Sequence, residues 1–375
     1  MTAAPAPAMD ALLAAIDTAG DAHELFARTS TRLRRIVAFD AAVWVATDPV
    51  NGLTTAPVRV ENLHEGGCGA YWESELFAEH VNLFRELAVA PVPVAGLRAV
   101  TGDRPSLSPL YRGFMRPRGF DDELRAVLRV DGQGWGQVSL FRERGRPAFE
   151  AAEIAALHTL SAPMAGRLRG VSRPQVAGPP GAHAPGLLLF AADGALLSIN
   201  DEARELLAQM PPGPSTTTPS GLELPLPVWI LSTAGRARLT GAGAGAGARI
   251  RIRATTGHWL VCHASQLRGA SGAPDTTALV IAHAAPSDIA ALVVAAYELT
   301  PRELEVTELI AAGLSTAEIA ARLFVSAHTV RDHVKSVFDK AGVSSRGELV
   351  ATLFNDYRRP LLEPVTQRVH DGLVG

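Results

Sequence analysis

Apolar residues recur with the spacing of short helices near the end of this 375-residue chain, between residues 299 and 354. Val306, Leu309 and Ile310 form one stripe at helical spacing, and Ile319 and Leu323 form a second. A third helix carries apolar residues at i, i+4, i+7 and i+8, namely Val330, Val334, Val337 and Phe338. The pattern predicts an all-α unit of four short helices.

Suitable capping residues stand at the start of these helices. Thr300 and Glu303 have the Thr-x-x-Glu spacing of a capping box, with Pro301 at the first helical position. Two further boxes follow, formed by Ser315 with Glu318 and by Ser345 with Glu348. Ser326 caps the helix between them. Because only a short link at 323–326 joins the second helix to the third, these two helices must meet at a steep angle.

The third helix presents a polar face opposite its apolar stripe. Each residue advances by about 100°, so the outward positions are His328, Asp332, Lys335, Ser336 and Asp339, with Thr329 and Arg331 at the edges. A helix-turn-helix places such a face in the major groove of DNA, with its first residues nearest the bases. A solvated helix on the surface of a four-helix bundle shows the same pattern, so periodicity alone leaves both interpretations open.

Residues 299–354 resemble the helix-turn-helix of LuxR-type bacterial transcription regulators, also called FixJ-type or NarL-type. The resemblance runs without insertion and is carried by residues 299–303, 312–315, 318–320, 329–331, 333–335 and 342–343. It implies that Arg331, Asp332 and Lys335 face DNA, and that hydroxyl groups near the helix starts contact phosphates. The predicted DNA-binding set is Ser326, His328, Thr329, Arg331, Asp332, Lys335 and Ser336.

Charge limits how tightly this unit should bind DNA. Arg331 and Lys335 are cations that reach phosphate or guanine. Asp332 repels phosphate, but it can accept from the N4 amino group of cytosine or pair with Arg331 or Lys335. Residues 300–354 hold six cations and seven acids, a net charge of −1, whereas DNA-binding domains are usually basic. We therefore expect a homodimer on two half-sites.

The first part of the chain, residues 10–170, has a mixed α+β pattern. It predicts a helix at 10–35, a strand at 41–47, a helix at 71–87, a hairpin of strands 124–129 and 135–142, and a helix at 149–169. This order is similar to that of a GAF sensor domain. The segment at 173–185, rich in Pro, Gly and Ala, marks the end of this part.

The second part, residues 184–284, resembles a PAS domain. A predicted hairpin at 186–199 turns at Asp193-Gly194 and leads into a helix capped near Asn200. Later strands are predicted at 248–255, 259–266 and 277–282. The Gly-Ala run at 241–248 lacks the Gly-Lys-Ser/Thr ending of a phosphate loop, so we interpret it as a flexible loop. Both sensor folds can hold a small molecule over the sheet.

Residues 285–298 form a predicted linker helix, and the helix-turn-helix domain is placed at 299–356. The linker's apolar positions are Ile289, Leu292, Val293, Ala296 and Tyr297. This face needs a partner, which is either the sensor or the same helix of a second chain. We favour the second chain, because two copies double the DNA contacts.

Composition excludes several other classes of protein. Two cysteines do not indicate a disulfide framework, and a reducing cytosol fits them. The start of the chain lacks the basic region of a secretory signal, and 289–297 is too short to span a bilayer, so we expect a cytoplasmic protein with no membrane contact. His64 and Cys68 are too few for a zinc site. With no metal, cofactor or catalytic constellation recognised, no enzyme activity is expected.

Two hypotheses of function follow from the sequence. The first is a DNA-binding transcriptional regulator that is gated by its sensor domains, with double-stranded DNA, RNA polymerase and an unidentified small-molecule effector as partners. The second is a sensor or scaffold protein that acts by protein–protein contacts, with the C-terminal bundle as a dimerisation module. The outward Arg331 and Lys335 favour the first, and the net acidic bundle favours the second.

Overall fold

The computed structural model describes residues 6–63, 71, 75, 81–173, 184–218, 220–240, 248–269, 272 and 274–354. Within these residues, two antiparallel five-stranded sheets with flanking helices precede a group of short C-terminal helices. The predicted fold class, two α+β regions followed by an all-α unit, is confirmed. The predicted domain boundaries stay predictions.

The first region builds its sheet in the order β2-β1-β5-β4-β3. Its strands are β1 (Ala41–Thr47), β2 (Thr54–Glu61), β3 (Val94–Gly96), β4 (Phe120–Val130) and β5 (Gln133–Glu143). Its helices are α1 (Ala6–Asp17), α2 (Ala22–Leu33), α3 (Phe84–Leu87), α4 (Leu97–Val100) and α5 (Ala151–Val171). Strand alternation sends Trp44 into the core shared with α5, and Val43 and Val45 to the opposite face.

The predicted helix at 10–35 is wrong, because the chain turns between α1 and α2. Asp21 caps α2 by accepting a hydrogen bond from the backbone N–H of Glu24 at 2.8 Å, and Gly20 precedes it in the turn. The apolar residues of both helices still reach one core, since Leu12 and Leu25 are fully buried. Residues 72–74 and 76–80 of the predicted helix at 71–87, together with His64 and Cys68, lie outside the described residues. The prediction is wrong at residues 81–83, where a turn with Asn82 at φ of 61° precedes α3.

The predicted hairpin is confirmed as β4 and β5, which are longer than expected. Asp131 and Gly132 form the two-residue turn, with φ of 51° and 78°. Positive φ at both positions is typical of a type I′ turn, which matches the twist of the flanking strands. Gln133 and Gly134 therefore belong to β5 and pair with β4.

The second region repeats the strand order of the first. Its strands are β6 (Gly186–Ala191), β7 (Leu196–Ile199), β8 (Ser215–Thr216), β9 (Leu226–Pro227), β10 (Arg249–Arg253), β11 (Trp259–Arg268) and β12 (Pro274–His283). Its helices are α6 (Asp201–Ala208) and α7 (Val228–Thr240). The short strands β8 and β9 pair only with each other, and when they are left out of the count the sheet order β10-β11-β12-β6-β7 is equivalent to that of the first sheet. The order therefore does not distinguish GAF from PAS, and the PAS assignment stays a prediction.

The linker helix α8 (Pro286–Tyr297) packs against its own chain. Its apolar residues belong to the same core as α1, α2 and α5. Ile289, Leu292 and Ala296 are at most 3% exposed. The preference for a second chain as the partner of this face is therefore wrong, because the first sheet region of the same chain supplies the apolar surface. No helix within the described ranges has the length and apolar character needed to cross a bilayer.

The C-terminal helices are α9 (Pro301–Ala311), α10 (Thr316–Leu323), α11 (Ala327–Ala341) and α12 (Arg346–Phe354). Their cores meet through fully buried Val306, Ile319 and Val337. The capping boxes predicted at Thr300 and Ser315 are present. The third box is altered: the N–H of Glu348 reaches Ser345, but its carboxylate accepts from Ser344 at 2.7 Å.

A buried carboxylate joins α9 to the third helix of this unit. Glu303 is 5% exposed, and it accepts from Ser336 at 2.6 Å and from Lys340 Nζ at 2.7 Å. Burial disfavours its charge, but hydrogen bonds from Lys340, Ser336 and Thr300 outweigh burial and lower the pKa of Glu303 to about 2. Glu303 therefore both caps α9 and fixes the position of α11.

Replacing Glu303 by Gln should destabilise the C-terminal helices. Lys340 and Ser336 would lose their ionised acceptor, which costs about 1–3 kcal/mol. Because the folded pKa lies below the usual 4.5, the stabilisation is present above pH 4.5 and is lost as pH falls through about 2. Calorimetric unfolding of the full chain should show a larger difference between wild type and Glu303→Gln at pH 7 than at pH 3. An equal difference at both pH values would contradict this role of Glu303.

Candidate DNA-binding site

A short turn at residues 324–326 joins α10 to α11. Leu323 ends α10, and Phe324 follows in the left-handed conformation with φ of 54°. Ser326 then caps α11 by accepting from the N–H of Thr329 at 3.0 Å. The hydroxyl groups of Ser326 and Thr329 also bond to each other at 2.9 Å. The first turn of α11 is thereby fixed in an arrangement typical of a helix-turn-helix.

The exposed face of α11 carries both charged and polar groups. Val330 and Val337 point into the core and are fully buried. On the other side, His328, Arg331, Asp332, Lys335 and Asp339 are exposed. The predicted outward position of these five residues is therefore confirmed. Their contact with DNA stays a prediction.

The expected outward position of Ser336 is wrong. Its side chain is half-buried, and its hydroxyl donates to Glu303 at 2.6 Å. Helical spacing alone places Ser336 beside Lys335 on the polar side of α11. The acceptor of its hydroxyl group, Glu303, lies on α9, so the residue pattern of α11 could not reveal this hydrogen bond. Ser336 therefore positions α11 against α9.

Asp332 pairs with a different residue from the two that the sequence suggested. Its carboxylate lies 3.7 Å from Nε2 of His328, one helical turn earlier. Both side chains are largely exposed, and the contact is an ion pair only when His328 is protonated. Neither Arg331 nor Lys335 forms an ion pair with Asp332 among the described residues.

Several cations of the C-terminal unit are engaged within it. Arg302 pairs with Glu305 and donates to the carbonyl of Leu323 at 2.8 Å. Lys340 binds Glu303, and Arg346 donates to the carbonyl of Leu314 and to Thr316. Within residues 299–354, the cations that form no ion pair or side-chain hydrogen bond are Arg322, Arg331 and Lys335.

Two exposed residues beside this face were not among the predicted contacts. Arg322 lies in the last turn of α10, and Phe324 is 95% exposed in the turn. The apolar residues of α10 recur at helical spacing only as far as Leu323. Phe324 falls outside that spacing, so the sequence already indicated that its side chain is not part of the core.

Comparison with known proteins agrees with this geometry. The profile of the family described as bacterial regulatory proteins, luxR family, matches residues 297–353. Spore germination protein GerE of Bacillus subtilis is 46% identical over 55 residues, which are 15% of this chain and 74% of GerE. An HTH-type transcriptional regulator of Mycobacterium bovis is 50% identical over 52 residues, 14% of this chain and 6% of that protein.

The likeness to solved structures is weak. A GAF domain of a phosphoenolpyruvate-protein phosphotransferase from Coxiella burnetii has a TM-score of 0.31 and 16% identity, covering 43% of this chain and 90% of that one. A TM-score this low supports no conclusion. This chain also spans only 6% of the length of the mycobacterial relatives. The family assignment therefore depends on the C-terminal helices, whose geometry, profile match and identity with most of GerE show that the chain belongs to the luxR family of bacterial regulatory proteins.

Proposed function

We propose that this protein is a sequence-specific, DNA-binding transcriptional regulator controlled by its two sheet regions. Helix α11 would enter the major groove, with Ser326, His328, Thr329, Arg331, Asp332 and Lys335 as the contact set. The observation that carries this proposal is the pair of unengaged cations, Arg331 and Lys335, on the exposed face of a family-matched helix-turn-helix. Such cations bind phosphates and guanine edges.

The net charge of the C-terminal unit includes acidic residues that have structural partners within the unit, so it understates the suitability of this unit for DNA binding. Glu303 is used in an internal ion pair, and Glu305 pairs with Arg302. Glu318 and Glu348 are used in helix caps. These four acids stabilise the fold, so the net charge of −1 is weak support for the scaffold alternative.

We further propose a homodimer that recognises two half-sites. One copy offers few unengaged cations, and two copies double the number of phosphate contacts. The surface between copies would lie away from α8, whose apolar face is already covered by its own chain. RNA polymerase and a small-molecule effector remain proposed partners, and the bacterial cytoplasm is the proposed location.

Replacing Lys335 by Ala should weaken DNA binding and reduce its dependence on salt. Each lost phosphate contact removes about one unit from the slope of log affinity against log salt. The measurement is a fluorescence-anisotropy titration of the full chain on its own upstream DNA at several salt concentrations. Arg204→Ala removes an exposed cation from α6 and serves as the matched control. A Lys335→Ala slope equal to that of the control would place Lys335 outside the interface.

Replacing Asp332 by Ala distinguishes base recognition from simple repulsion. If Asp332 accepts from cytosine, the variant should lose discrimination of roughly 1–3 kcal/mol at one base pair. If the carboxylate only repels phosphate, the variant should bind every sequence more tightly. Selection of binding sites from a random duplex library by both proteins gives the answer. We expect relaxed preference at one position, and uniform tightening would rule out base recognition.

A further inference from the structure

The second sheet has an outer face that the described residues leave uncovered. On its inner face, Leu188 and Leu279 are fully buried in the same core as residues of α6 and α7. Successive residues of a strand point to opposite sides of the sheet, so the neighbours of these leucines lie on the outer face. Two of those neighbours, Leu187 and Val280, are exposed to solvent.

The strand register arranges nine residues of this face in three rows across β11, β12 and β6. Residues that pair across neighbouring strands lie side by side on the same face, so each row takes one residue from each strand. The rows are His263–Val280–Leu187, Ser265–Ala278–Leu189 and Leu267–Thr276–Ala191. We call these nine residues the outer patch, and Ala278 is its central residue.

The outer patch carries apolar side chains where a solvated sheet carries polar ones. An antiparallel sheet with one face in water alternates apolar and polar residues along its strands. Strand β6 instead reads Gly-Leu-Leu-Leu-Phe-Ala, with Leu187, Leu189 and Ala191 on the outer side. Leu187, Val280 and Leu267 are 39%, 37% and 45% exposed. A strand that is apolar on both sides is typical of a sheet covered on both faces, so the outer patch indicates a surface that binds a partner.

The outer patch is neutral, which restricts the chemistry of that partner. None of its nine residues is an acid, a lysine or an arginine. Its titratable side chain is His263, and partial burial and the nearby Arg249 lower the pKa of His263 against the opposing effect of Asp288. His263 is therefore mostly uncharged at pH 7. A charged partner would lose its water here without gaining a counter-charge, so the partner surface is itself neutral and apolar.

A second copy of this chain brings such a surface in the form of its own outer patch. The other large apolar side chains that are exposed within the described ranges lie in turns, loops and helices, apart from Leu197 on the adjoining strand β7. Two outer patches match in size and in their lack of charge. A two-fold contact uses the same surface on both copies, which is the geometry that this match requires.

The area of the patch sets the strength of such a contact. Strands lie about 4.8 Å apart and rise about 3.4 Å per residue, so three strands over six residues cover roughly 300 Å². Two copies would bury roughly 600 Å², whereas stable complexes bury at least about 1,200 Å². The dimer is therefore weak in solution. Two half-sites on one DNA would strengthen it, because they raise the effective concentration of the second copy.

We propose that two copies of this chain associate face to face through the outer patch, with Ala278 at the two-fold axis. This inference rests on the proposed homodimer and specifies where its two copies meet. Sheets that pack face to face lie about 10 Å apart, which is the space that the leucine and valine side chains of both patches would fill. The contact is weak without DNA and becomes complete on DNA that carries two half-sites.

The first test places a carboxylate in the outer patch. In Val280→Glu the new side chain is solvated in one copy but loses its water in the dimer, so self-association should weaken at least about tenfold. Sedimentation velocity of the full chain over a range of concentrations measures this. Val92→Glu is the matched control, because Val92 is 47% exposed but lies in the first region. A Val280→Glu chain that associates as strongly as the control would overturn the proposal, as would a wild-type chain that stays monomeric both free and on DNA with two half-sites.

The second test uses opposite charges at the central residue. Ala278→Glu and Ala278→Lys should each be largely monomeric, since the axis brings each new charge against its own copy. An equimolar mixture should recover association, because Glu of one copy then meets Lys of the other. Recovery also shows that both variants are folded. A mixture that stays monomeric would overturn the face-to-face arrangement. Association that survives in Val280→Glu but is lost when residues 355–375 are deleted would assign the contact to that segment and overturn the proposal as well.

Sedimentation without DNA is independent of the proposed regulatory function, and DNA affinity is measured separately. On selected duplexes that carry one half-site, Val280→Glu should bind as tightly as wild type. On duplexes that carry two half-sites, it should bind about tenfold more weakly, because the second copy is no longer recruited. Self-association without any DNA binding would contradict the proposed function and leave the interface intact. Equal affinity of variant and wild type for two half-sites would overturn the interface alone.

Discussion

The buried ion pair between Asp48 and Arg251 holds three parts of this protein in one arrangement. Asp48 follows β1 of the first sheet, and Arg251 lies in β10 of the second. Arg251 also donates through Nε to the carbonyl of Asp288, at the start of α8. Burial raises the pKa of Asp48, while Arg251 and backbone N–H groups oppose that rise. Removing either partner would leave a buried charge uncompensated, which is strongly destabilising. The relative position of both sheets and the linker helix thus depends on this contact.

Because α8 is fixed by this contact, the C-terminal helices are connected to the first sheet region by specific polar contacts. Arg169 of α5 pairs with the carboxylate of Glu298 at 2.5 Å, just after α8 ends. Glu298 has a left-handed backbone with φ of 55°, and its carbonyl accepts from Lys340 of α11 at 2.9 Å. A continuous series of contacts therefore joins α5 of the first sheet region to α11, the helix proposed to read DNA. If the first sheet region changes conformation on binding an effector, as proposed, these groups connect it physically to α11.

Local signals in the sequence were sufficient for much of this fold. Capping residues such as Thr300 and Ser326, the Asp131-Gly132 turn and the valine spacing of α11 act within a few residues, so they could be read directly. The break between α1 and α2 was missed because the apolar stripe continues across it. The direction of Ser336 and the partner of α8 depend on groups distant in sequence. The spacing of apolar residues indicates that one face of a helix must pack against another surface. Only the tertiary structure shows which surface that is.

The ion pairs and hydrogen bonds that stabilise the C-terminal unit would limit its proposed contact with DNA. Lys340, Arg302 and Arg346 hold helices together, and each is consequently less available to phosphate. In the proposed complex, the affinity of a single copy would come largely from the unengaged cations Arg322, Arg331 and Lys335, since long-range attraction by a unit of net charge −1 is weak. A protein with so small a non-specific contribution gains relatively more from base contacts and from a second copy. Weak binding by one copy would also leave more room for the proposed control, because a modest change in the arrangement of the two proposed copies would alter occupancy of the site.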